Sequence, residues 1–189
     1  HIDIGFLTAF LSKDKDFTTD ENVVTLYVPE NAKFQNATLN SDLGNILLNH
    51  VCFESGTVSS GDGDIFIKNS TLKEVAVSAS LGDVKTYDSK IKTCNFVLSD
   101  GDFTAKNNEF TGETLINDDL GNIEVQGSKK QWSSLGVDAS TDLGDIEVSE
   151  TLEGTLKEKD SDESEYQRSG KNGKVKLHAE DGDITMKCN

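Results

Sequence analysis

The chain of 189 residues carries 34 acidic against 18 basic side chains, a formal net charge of −16, and only 34% hydrophobic residues. An acidic surface of that size is repelled from nucleic acid and from anionic lipid, so neither is an expected partner, whereas cations and basic molecules are favoured. Sixteen glycines and a single proline beside that low apolar share suit a thin core wound with many turns.

Residues 1–31 precede the regular pattern. The most apolar early run, Ile4 to Leu11, is too short to cross a bilayer and lacks the basic flank of a signal peptide. No direct membrane insertion by this segment is expected. The chain begins at His1 rather than Met, which an upstream leader or anchor, a processed terminus or a tag would each explain. Residues 2–11 read as one or two strands capping an array, residues 13–22 as a polar loop, and residues 23–28 as a strand rich in β-branched side chains, stopped by Pro29.

From there one phrase recurs: a glycine, then Asp or Asn, then an apolar β-former. It appears as Gly44-Asn45-Ile46, Gly63-Asp64-Ile65, Gly82-Asp83-Val84, Gly101-Asp102-Phe103, Gly121-Asn122-Ile123, Gly144-Asp145-Ile146 and Gly182-Asp183-Ile184. Successive glycines are 19, 19, 19, 20, 23 and 38 residues apart. A fixed period near 20 residues marks a stacked repeat. Aligned on the glycines, apolar residues fall in columns five and seven positions before and two and four positions after, with a mid-coil column Phe34, Phe53, Leu72, Ile91, Phe110. Trp132 and Leu152 are candidates for that column in the later coils. In-out alternation over three to five residues is the strand period, and no window keeps a helical stripe.

The predicted fold is therefore all-β: a single-domain, single-stranded parallel β-solenoid of about seven coils, with regular coils over 32–150 and a final coil over 173–189. Two places break the period. Residues 127–132 add a small basic and aromatic bulge. Residues 151–172, with an acidic run over 157–165, read as a loop or degenerate coil. Of three cysteines, Cys52 and Cys94 stand two coils and about 10 Å apart, beyond disulfide reach, so three free thiols are expected.

Residues 24–34, VTLYVPENAKF, the repeated Gly-Asp-Ile steps, and residues 170–177, GKNGKVKL, running on to Gly182-Asp183-Ile184-Thr185-Met186, together resemble a bacterial family of "putative adhesins", a domain of unknown function with β-strand repeats. The resemblance covers most of the chain from Val23 to Met186. It implies an extracytoplasmic, envelope-associated β-solenoid, held to the cell surface or membrane by an anchor outside this chain, with adhesion or envelope-stress sensing as its role. It supplies no catalytic residues, and the acidic stretch after Thr151 departs from it.

Among chemistry-bearing residues, Asp64, Asp83 and Asp102 follow the turn glycines and would stack one strand spacing apart, repelling by roughly 1 kcal/mol per neighbour even in water. Either they cap turn amides and splay into solvent, the preferred reading, or they hold a divalent cation such as calcium. No other cofactor is expected. His1, His50 and His178 occupy unrelated coil positions, Cys94 falls on a core column, and no Gly-x-Ser-x-Gly elbow occurs. Leu47 and Phe66 point outward from the first two coils; either the N-terminal strands fold over them or, with Lys129, Lys130 and Trp132 of the bulge, they are the candidate surface-binding residues, the bulge being otherwise a plain insertion whose tryptophan tucks into the core. The expectation is a monomeric, noncatalytic binding or scaffold module for a protein or cell-surface glycan. The alternatives are a self-assembling β-solenoid rod and a carbohydrate-active β-helix enzyme.

Overall fold

The computed structural model describes residues 28–29, 32–158 and 163–189. The expected capping strands within residues 1–27 lie outside the described residues.

Each early coil is three short strands. They are β1 (Lys33–Phe34), β2 (Ala37–Leu43) and β3 (Ile46–Asn49); β4 (Cys52–Phe53), β5 (Gly56–Asp62) and β6 (Ile65–Lys68); β7 (Thr71–Lys73), β8 (Val75–Leu81) and β9 (Val84–Tyr87); β10 (Lys90–Lys92), β11 (Asn95–Asp100) and β12 (Phe103–Lys106). In the fifth coil a single strand, β13 (Glu109–Leu120), passes from the first wall to the second, and β14 (Ile123–Gly127) continues into the third. The chain then forms helix α1 (Lys129–Trp132), β15 (Leu135–Leu143), β16 (Ile146–Val148), β17 (Thr155–Glu158), β18 (Ser164–Arg168), β19 (Gly173–Asp181) and β20 (Ile184–Cys188).

Through the first five coils, strands of successive coils pair in parallel and in register. Ile46, Ile65, Val84, Phe103 and Ile123 are direct vertical neighbours, as the glycine-aligned columns require. Ile65, Val84, Phe103 and Ile123 have no solvent exposure, so the interior is a set of stacked apolar ladders enclosed by three walls. Corners between walls need left-handed backbone. One is made by the glycines; a second uses His50, Asn69, Asp88 and Asn107, all with φ between 48° and 57°, mostly residue types that tolerate this region. Just inside it, Ser70, Ser89 and Asn108 are buried. Val51 N–H donates to Ser70 Oγ, Ser70 N–H to Ser89 Oγ, and Ser89 N–H to Asn108 Oδ1, so this polar column is satisfied by its own stacking.

The coils do not stack in chain order. β19 lies between β13 and β15, and β20 lies between β14 and β16. The last coil is thus inserted between the fifth and the sixth. Residues 151–172 make this possible, and the described part of that stretch holds two strands where a loop or degenerate coil is expected. β17 and β18 form an antiparallel hairpin, and β18 pairs antiparallel with the outer edge of β15. On β18 Ser164 and Tyr166 are buried, as is Leu152 ahead of β17, and Tyr166 Oη donates to the carbonyls of Leu152 and Glu153. All three cysteines are free thiols.

Candidate functional site

The glycine corner is the most regular surface feature, and close packing of backbone on backbone dictates its composition. Gly101 has φ +144°, and a Cβ there would lie 2.3 Å from the carbonyl oxygen of Gly82 in the coil beside it. Nothing larger than glycine fits such a stack.

Next to each glycine the Asp or Asn side chain turns along the rod. Asp64 N–H donates to Asn45 Oδ1 at 2.8 Å, Asp83 N–H to Asp64 Oδ1 at 2.9 Å, Asp102 N–H to Asp83 Oδ1 at 2.9 Å and Asn122 N–H to Asp102 Oδ1 at 2.8 Å. Through the inserted coil the ladder continues from Asn122 to Asp183 to Asp145. Asp64, Asp83 and Asp102 therefore cap turn amides across coils, and each carboxylate is stabilised by a neighbour's backbone donor rather than set against a neighbour's charge alone. Burial pushes the Asp83 carboxyl up, but the Lys85 ammonium at 2.6 Å and the Asp102 amide outweigh it and hold the group below the usual carboxylate range. Among the described residues no group of three or more His, Cys, Asp or Glu side chains is arranged to hold a metal ion.

Of the other expected surface residues, Leu47 and Phe66 are brought together as cross-strand neighbours on β3 and β6. Leu47 is 66% exposed, whereas its neighbour Phe66 is half-buried beneath Lys85, whose Nζ lies 5.7 Å from the ring centre. Lys129 and Lys130 are exposed on α1, whose capping box runs between Ser128 and Gln131. Trp132 takes the core reading and corrects the surface one: it is 3% exposed, with Nε1 donating to the Lys187 carbonyl at 2.9 Å. The first wall ends at β13, and the indole packs into the core beyond that point, so the bulge is a plug.

A Ser140 Oγ to His178 Nδ1 contact of 3.1 Å is present on the second wall. In the cross-strand row Ser140 lies between His178 and Glu165, and the other neighbour of His178 is Asn117. No carboxylate is a direct cross-strand partner of His178, the place where such a row would set the acid of a nucleophile–base–acid relay.

The Toastrack DUF4097 family model matches residues 10–187. The chain belongs to the Toastrack DUF4097 family. Among solved structures it is similar to a crystal structure of a "putative cell adhesion protein" from Clostridium sporogenes ATCC 15579. The two share 12% identity and a TM-score of 0.44, over 86% of this chain and 96% of that one. No protein with a curated description matches.

One residue of this Toastrack chain stands out that the motif reading passes over. Asp118 lies three positions before Gly121 and is 1% exposed, and neither carboxyl oxygen has a hydrogen-bond partner. Burial first, then the carboxylates of Asp102, Asp119, Asp100 and Asp83, push it up to about 7. The same position holds Ser41, Ser60, Ala79, Leu98, Ala179 and Thr141 in the other coils, an inward column. At its polar members, Ser41 and Thr141 donate to the carbonyls of Gly44 and Gly144 at 3.0 and 2.8 Å. A neutral, protonated Asp118 has the same donor capacity beside Gly121, and an ionised one does not. The signal was available in the sequence: positions seven, five and three before the glycine share one strand face.

Proposed function

We propose that this chain is a monomeric, noncatalytic binding or scaffold module that presents the walls and corners of its rod to a protein or glycan partner at the bacterial envelope. The observation that carries the reading is the regular glycine corner, whose ladder carboxylates are engaged in holding one coil to the next. Side chains committed to backbone amides are poor candidates for acid–base work, and His178, in contact with Ser140, has no carboxylate as a direct cross-strand partner. Two surface hollows among the described residues, about 270 and 480 Å3, are lined mainly by polar and charged residues such as Glu54, Lys73, Asp138 and Lys174. The anionic surface argues against nucleic acid. Among the described residues no helix is long and apolar enough to cross a membrane.

The monomer reading is supported at one end of the rod, where the antiparallel β17–β18 hairpin covers the β15 edge that a further parallel coil would need. Sedimentation velocity across a wide concentration range tests it: a single monomeric species is expected, and growth with concentration would favour the self-assembling rod. A glycan and envelope-protein binding panel with product analysis tests the rest. Binding without turnover is expected, and release of cleaved sugar would overturn the noncatalytic reading.

A further inference from the structure

The residue immediately before each corner glycine points into solvent, and its identity alternates along the rod. Pairing runs Leu43 to Asp62, Asp62 to Leu81, Leu81 to Asp100, Asp100 to Leu120, Leu120 to Asp181 and Asp181 to Leu143. The four leucines are 80%, 53%, 53% and 53% exposed in that order. In chain order the alternation fails, because Leu120 is followed by Leu143; only the inserted last coil sets Asp181 between them. Scattered exposed leucines need no explanation, but four held at a constant two-coil interval on a stiff ladder form a ridge. That interval is about 9.6 Å, from strand spacings of about 4.8 Å. Asp62, Asp100 and Asp181 are exposed and form no ion pair among the described residues.

We infer that this Leu/Asp ridge is a docking strip for a cationic polypeptide segment in extended, polyproline-II-like conformation, with an apolar side chain at every third residue. Charge selects the class of partner. A second copy of this chain would bring one acidic corner against another, and anionic lipid is repelled. Residues 1–27 carry five acidic against two basic side chains and are the wrong sign. Spacing selects the conformation. A polyproline-II segment repeats every three residues, about 9.3 Å, and stays in step over the three intervals of the ridge. A strand repeats its face at about 6.7 Å, and two helical turns span about 10.8 Å, so both drift out of register. Lysines between the apolar residues then meet Asp62, Asp100 and Asp181.

This inference rests on the reading of the chain as a binding module and names its strip and its partner's chemistry. The test is fluorescence anisotropy at physiological salt with a labelled Leu-Lys-Pro repeat of four units, against a Gly-Lys-Pro repeat of equal charge. The proteins are wild type and the Leu81→Ser/Leu120→Ser double variant, both checked for unchanged melting. The leucine peptide is expected to bind wild type at least about ten-fold tighter than the glycine peptide, and the double variant to lose that margin. Equal binding of the two peptides, an unchanged margin in the double variant, or no binding at all would each overturn the ridge. So would dimerisation of wild type that the double variant abolishes. A pull-down from envelope extract separates the two levels. A partner retained equally by both proteins rejects the ridge and leaves the module standing, whereas retention by neither rejects the module itself.

Discussion

At the scale of single residues, the corner tolerates almost no change, because its glycines touch backbone to backbone. Gly101→Ala places a methyl 2.3 Å from the Gly82 carbonyl at φ +144°, and the loss expected in a denaturant melt is at least about 3 kcal/mol. Asp118 makes stability depend on pH with a definite sign. Its folded pKa is about 7, raised from an unfolded value near 3.8, so the folded chain keeps a proton that the unfolded chain has released. Stability from this group is complete below pH ~4 and is lost as the pH rises toward ~7, on the order of 4 kcal/mol at about 1.4 kcal/mol per pH unit. Glu54, held low first by Lys73, and Glu124, held low first by Lys187, act oppositely: their contributions are lost only as the pH falls below the normal carboxylate range. The window from about pH 4.5 to 7 therefore isolates Asp118. Melting temperature is expected to fall with rising pH across it in wild type and to stay level in Asp118→Asn. Parallel slopes in the two proteins would show that the carboxyl is not the source. Neither residue's role is visible from type alone: glycine at a corner is legible from the period, but the burial of Asp118 depends on which side of the strand faces in.

At the scale of elements, the chain closes its core where the first wall stops. Trp132 on the four-residue helix α1 fills the interior there, and Arg168 Nη1 donates to the carbonyls of Trp132 and Leu135, tying α1 and the start of β15 to the β17–β18 hairpin. Trp132→Ala removes a buried ring and orphans the Lys187 carbonyl, and the expected cost is about 3–5 kcal/mol. Tyr166→Phe removes one hydroxyl shared by two carbonyls, so about 1 kcal/mol is expected in the same chemical melt. A reversed ranking would mean that the hairpin, not the plug, secures this end. The hairpin itself was hard to read. Its inward side chains on β18 are Ser164 and Tyr166, only one of them aromatic or apolar, within a strongly acidic stretch, and its partner β15 is already a solenoid strand whose free edge no local pattern reveals.

For the whole molecule, the decisive fact is that the last coil is interior. Removing an end coil from a repeat array leaves the other interfaces intact, but removing residues 173–189 separates β13 from β15 and β14 from β16. Such a truncation is expected to lose the sixth coil and the hairpin with it, seen as loss of hydrogen-exchange protection over 135–168. Retained protection there would mean that the sixth coil can dock on the fifth directly. Calcium against chelator is expected to leave the thermal midpoint unchanged, since the ladder oxygens already accept backbone amides; a rise with calcium would restore the cation reading of Asp64, Asp83 and Asp102. The sequence by itself determined the coil, its core columns and its glycine corner, because a period near 19 residues forces like onto like and strand alternation fixes which side is buried. Only the tertiary structure decided the order of the coils and, with it, the alternating ridge. Ile146 and Ile184 present the same local pattern to Ile123, and which of them takes the place beside it depends on how the hairpin between them folds back, a long-range choice that no repeat unit encodes.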